Sequence, residues 1–117
     1  NGSLGSYWGH TGMDIGAPSG TVIRASRAGT VTYATNMIIW PYGKSVVINH
    51  GDGTITRYAH CSNVVVSVGQ YVEQGQYIGN VGRTGNATGN HCHFEIRVNG
   101  VIMDPAKFVG YYYPGYW

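Results

Sequence analysis

Short apolar stretches alternate with Gly-rich turns along the whole chain, in the two-residue rhythm of half-buried strands. Residues 20–26 alternate around Val22 and Ile23, residues 29–34 form a second run, and residues 44–49 carry Val46, Val47 and Ile48. His50-Gly51-Asp52-Gly53 follows as a hairpin turn, with residues 54–61 as the returning strand. Residues 77–81 and 91–98 predict two further strands. Asn99-Gly100 predicts a tight turn into Val101-Ile102-Met103. Helix is expected only as one turn over residues 105–109, with Asp104 as N-cap and Pro105 at the first position. Gly69-Gln70-Tyr71-Val72 is echoed by Gly75-Gln76-Tyr77-Ile78, which reads as two successive corners of a rolled-up sheet.

Composition supports an all-β reading. The 117 residues hold thirteen Val, nine Ile, nine Thr and ten Tyr, but one Leu, two Glu and two Lys. Strand formers dominate and strong helix formers are nearly missing, which argues against a helix bundle, a coiled coil or a doubly wound α/β fold. The length suits one domain spanning residues 1–117, with a core of about residues 10–109 and an aromatic tail at 110–117. Charged residues are only 10% of the chain, the formal charge is +2, and no basic cluster suggests a nucleic-acid surface. Apolar runs such as Val64-Val65-Val66 are too short to span a membrane. The repeat also resembles the phrasing of a lipoyl or biotin carrier, but neither Lys44 nor Lys107 sits in a fitting hairpin tip. No charged-then-apolar leader opens the chain at Asn1, and a longer native protein is expected.

The candidate chemistry lies in the histidines. Five His in so weakly charged a chain stand out, and four fall into three groups: His10 with Asp14, Tyr58-Ala59-His60, and His91-Cys92-His93. Residues two apart on a strand face the same way, so His91 and His93 are expected to enter one space while Cys92 faces the other side. Gly12 and the following Gly16-Ala17-Pro18 argue against a helix for His10 and Asp14; a loop entering a strand can also bring them together. A catalytic zinc takes three protein ligands and leaves a fourth position for water. His10, Asp14 and one of His91 and His93 supply that set. The other of the pair, with His60, is then suited to act as base and transition-state stabiliser. Strand parity alone does not choose between His91 and His93.

The pattern His10-x-Gly12-x-Asp14-Ile15, Tyr58-x-His60 and Gly85-Asn86-x-Thr88-Gly89-x-His91-x-His93-Phe94-Glu95 closely resembles the M23 zinc metallopeptidases, the lysostaphin/LytM-type peptidoglycan endopeptidases. The resemblance extends from about residue 10 to residue 105. It implies a compact, all-β, antiparallel sheet or sandwich-like domain of the duplicated hybrid motif type. It implies His10, Asp14 and His93 as zinc ligands, and His60 and His91 as non-ligand catalytic histidines. The implied cofactor is Zn2+, and the implied substrate is the peptide part of bacterial peptidoglycan, cut outside the cell or in the wall by an exported protein; the oligomeric state stays open, with a monomer favoured. The alternative is a non-catalytic member that binds peptidoglycan or a partner as scaffold or regulator. Glu95, of the same strand parity as His93, is a candidate acceptor for that ligand's second ring nitrogen.

Cys61 and Cys92 occupy positions that are aliphatic in many members of the family. They are expected to face away from the metal as a cross-strand disulfide or a buried thiol pair. His50 reads as structural. Asn86 and Thr88 read as turn chemistry or as contacts to substrate backbone. No role is assigned to Tyr7 or Trp8. The tail Tyr111-Tyr112-Tyr113-Pro114-Gly115-Tyr116-Trp117 is expected to pack on the sheet, with stacking on wall sugars as the other possibility.

Overall fold

The structure is a computed structural model that describes residues 13–85, 89 and 91–103. The expected helical turn at 105–109 and the aromatic tail lie outside these residues, as do Tyr7, Trp8, His10, Asn86 and Thr88.

The valine- and isoleucine-rich runs form nine strands, all paired antiparallel: β1 (Met13–Gly16), β2 (Val22–Arg24), β3 (Gly29–Thr35), β4 (Lys44–Asn49), β5 (Thr54–Val64), β6 (Tyr71–Val72), β7 (Tyr77–Val81), β8 (His91–Val98) and β9 (Val101–Met103). The described residues contain no helix. The sheet runs β1-β8-β5-β4-β3-β6, with β9 on β8 and with β7 linking β5 to β2. β4, β7, β8 and β9 have the expected bounds. β5 runs on to Val64, because its far end turns away from β4 and β8 to pair with β7. β2 is shorter than expected, and the short β1 and β6 exist because longer neighbours offer them an edge.

Alternation along β5 and β8 makes a two-faced sheet. Tyr58 is in register with Phe94 and Thr56 with Ile96, and these side chains are buried in the core with Ile23, Val31, Val46, Ile48, Ile78 and Val81. Their opposite-parity neighbours, Arg57 in register with Glu95 and Ala59 with His93, occupy the other face. Cys92 belongs to the core cluster, as the alternation requires.

The small repeat builds the same corner twice. In each copy the glutamine N–H donates to a carbonyl three residues back, and the glutamine side chain accepts from that residue's N–H: Gln70 with Ser67 and Gln76 with Glu73. Gly69 then joins Val31 of β3, and Gly75 joins Ala25 just beyond β2.

A buried polar chain braces the β4–β5 hairpin. His50 Nδ1 lies 2.8 Å from the Ala28 carbonyl, which can only accept, so Nδ1 carries the proton and Nε2 accepts from Thr56 Oγ1 at 2.9 Å. Thr56 in turn accepts from the Tyr58 hydroxyl at 2.8 Å, and Tyr58 accepts from Ser26 N at 3.0 Å and Ser26 Oγ at 2.9 Å. Burial holds the His50 imidazole below its ordinary pKa of 6.5, keeping it neutral as this direction of bonding needs. His50 thus has the structural place expected of it.

Candidate active site

β8 carries His93 on the non-core face. Its register partners are Asp14 on β1 and Ala59 on β5, while His91 begins the strand opposite Gly16. The strands therefore bring Asp14, His91 and His93, read together from the sequence, to one end of the sheet. Among the described residues no three His, Cys, Asp or Glu side chains gather into a metal-holding group, and His93 is the one expected ligand whose side chain is described.

His60 reaches His93 by a break in the strand. Simple alternation would put His60 on the same side as Tyr58, in the core. Instead His60 adopts φ 61°, and the β4–β5 register shifts between Lys44 and Val46. A left-handed conformation is costly for a non-glycine residue and persists only where the surroundings impose it. Here they do. His60 N donates to the Tyr42 carbonyl at 2.8 Å, and His60 Nδ1 donates to the Thr84 carbonyl at 2.6 Å. Thr84 is itself tied down, its Oγ1 donating to the Cys61 carbonyl at 2.6 Å and accepting from Lys44 N at 3.0 Å. The His60 and His93 rings meet edge-on with centroids 5.9 Å apart, and both residues are buried. Since a carbonyl cannot donate, the neutral His60 ring has its proton on Nδ1 and its lone pair on Nε2.

His93 is oriented in the complementary sense. Its Nε2 lies 3.1 Å from Glu95 Oε2, which makes Nδ1 the lone-pair nitrogen of the neutral ring. This is the acceptor that strand parity suggested. Glu95 is only 1% exposed, and its Oε1 is flanked by Arg97 Nη2 at 3.3 Å and Arg57 Nε at 3.5 Å. A buried carboxylate requires such compensation. The Arg57 guanidinium lies over the Tyr42 ring, 4.1 Å from its centroid, and Tyr42 also lies beside His93 with centroids 6.1 Å apart.

Sequence reasoning missed Arg57, Arg97, Tyr42 and Thr84. The signal for Arg97 was present, since His93, Glu95 and Arg97 share one strand parity, whereas Arg57 becomes their neighbour only through the β5–β8 pairing. Tyr42 and Thr84 come from loops, and no periodicity marks them. Cys61 and Cys92 are both buried and joined by no disulfide, so the expected cross-strand disulfide does not form. Burial pushes the Cys61 thiol up to about 12.

A family model for Peptidase family M23 matches residues 8–105, which contain the whole of this arrangement. The chain belongs to peptidase family M23. Among M23 relatives it is 45% identical over 99 residues to peptidoglycan DD-endopeptidase ShyA of Vibrio cholerae, covering 84% of this chain and 22% of that protein. The catalytic domain of the antimicrobial peptidase lysostaphin from Staphylococcus simulans superposes with a TM-score of 0.79 at 33% identity, covering 86% of this chain and 79% of that one. A zinc-containing peptidase from Vibrio cholerae superposes with a TM-score of 0.76 at 35% identity, covering 81% of this chain and 29% of that one. The curled all-antiparallel sheet is thus shared with M23 catalytic domains.

Proposed function

We propose that the chain is a zinc-dependent endopeptidase domain that hydrolyses peptide bonds in the stems or cross-bridges of bacterial peptidoglycan, acting in the cell envelope. The observation that carries this is the meeting of His60 and His93 on the non-core face, each with one ring nitrogen committed to a fixed acceptor. The similarity to ShyA and to the lysostaphin catalytic domain supports the reaction class and the substrate.

The donor set fits zinc. Two imidazoles and a carboxylate are borderline ligands of the kind zinc takes, and His93 has the carboxylate-supported ring typical of a metal-binding histidine. His10, Asp14 and His93 would hold the ion, which when bound supplies Lewis acidity and makes water a nucleophile near neutral pH.

The chain's own groups then handle the protons. His60 is locked with Nδ1–H on the Thr84 carbonyl, so Nε2 is the basic atom and takes a proton from the attacking water. As the water oxygen bonds the carbonyl carbon and the C–N bond breaks, His60 passes that proton to the leaving amine nitrogen, and the other product is a carboxylic acid that ionises. His91, the second non-ligand histidine, hydrogen-bonds the developing oxyanion. Burial of His60 and His93 keeps bulk water from competing for these bonds.

Mass spectrometry of fragments released from defined muropeptides tests the reading, with zinc measured on the same sample. Cleavage should require zinc and vanish in His93→Ala. Cleavage that persists in metal-free protein would refute it, and wall binding without cleavage or zinc would favour the scaffold alternative.

A further inference from the structure

We infer that Arg57 is a positioning residue for His93, acting through Glu95. Its bearing on metal binding rests on the function proposed above. Arg57 belongs to none of the sequence motifs. It is nevertheless the cross-strand partner of Glu95 in the β5–β8 register, and it is held from the other side by the face of Tyr42.

The two oxygens of Glu95 are used differently. Oε1 faces the cations: Arg97 donates to it from Nη2 at 3.3 Å and Nε at 3.4 Å, and Arg57 Nε, which makes no hydrogen bond among the described residues, holds it by charge alone at 3.5 Å, which leaves Oε2 for His93 Nε2 at 3.1 Å. A carboxylate pinned at one oxygen cannot turn freely about its last bond, so the other oxygen stays aimed at the imidazole. That fixes which ring nitrogen of His93 carries the proton and which presents its lone pair. Arg97 is the more exposed clamp, with its side chain 30% accessible against 21% for Arg57. Arg57 is also the one stacked on Tyr42, and the carbonyl of Tyr42 takes the backbone N–H of His60. Arg57 therefore links the orientation of His93 to the loop that holds His60. A lysine would keep the charge but lose the planar stack.

The test compares the unsubstituted chain with Arg57→Met, Arg57→Lys and, as a control for losing a half-buried, hydrogen-bonded arginine away from the site, Arg24→Met. Two quantities are read: zinc affinity by competition with a chromogenic chelator, and the His93 tautomer in metal-free protein by long-range 1H–15N correlation at about pH 8, above the usual imidazole range. The unsubstituted chain and Arg24→Met should show His93 protonated on Nε2. Arg57→Met should show mixed tautomers and bind zinc about tenfold to 100-fold more weakly, the usual effect of losing an outer-shell support. Arg57→Lys should fall between, and it decides the matter if circular dichroism shows Arg57→Met unfolded. A His93 tautomer unchanged in the folded Arg57 variants overturns the inference and leaves the proposed function standing. An unsubstituted chain that holds no zinc sinks the proposed function, while the tautomer readout still decides the role of Arg57.

Discussion

Gly85→Ala isolates what holds the proposed base in place. Gly85 follows Thr84, whose carbonyl takes His60 Nδ1–H, and Gly43 follows Tyr42, whose carbonyl takes His60 N–H. The two glycines press against each other. A Cβ on Gly85 would run into Gly43 N and lie 2.7 Å from both Gly43 Cα and Pro41 O, where ordinary contact begins at 3.4 Å. The obstacles are backbone, so the two loops must part by about 0.7 Å or more, carrying the two anchors of His60 in opposite directions. Gly85 also has φ 77°, which adds about 1–2 kcal/mol of left-handed strain for alanine. Misplacement of a catalytic group by about 1 Å costs about 100-fold in rate, or about 2.7 kcal/mol of transition-state stabilisation. The expected outcome is kcat/KM on a cross-linked muropeptide lowered by about 30- to 100-fold, with zinc content unchanged because the ligands lie on other elements. Gly20→Ala provides the control, having φ 92° with nothing within 4 Å of its Cβ. It should show the strain penalty in a thermal melt and keep its activity. Gly85→Ala cleaving within about threefold of the unsubstituted chain would refute the reasoning.

Three further outcomes follow from the core. Tyr58→Phe keeps the ring contact with Phe94, centroids 5.5 Å apart, but orphans the buried Ser26 N–H, and denaturant unfolding should show a loss of about 1–3 kcal/mol with an unchanged m-value. Because burial lowers the His50 pKa, the unfolded chain takes up that proton first; His50 contributes no pH dependence well above pH 6.5, and stability falls as pH drops below it. His50→Gln should flatten the stability profile below pH 6.5, and an identical slope in both proteins would count against a neutral buried His50. Thiol titration should find two reactive cysteines in denatured, unreduced protein and neither in the native state, because both are buried and the Cys61 thiol sits at about 12.

The strand pattern of this protein is written in its local chemistry. Period-two runs of Val, Ile and Tyr, closed by His50-Gly51-Asp52-Gly53 and Asn99-Gly100, suffice for β4, β8 and β9, because strand preference and turn geometry act over a few residues. The shared face of His93 and Glu95 was legible for the same reason, since parity within one strand is local. Tertiary structure alone decided His60. Its parity with Tyr58 points it into the core, and the Tyr42 and Thr84 carbonyls, from loops 18 and 24 residues away in sequence, help hold it at positive φ facing His93. Arg57 follows the same rule, because its partner Glu95 becomes a neighbour only when β5 pairs with β8. A backbone conformation against a residue's own preference, and a charge buried beside its counterion, each need contacts from distant segments, and no local pattern encodes which segments those are.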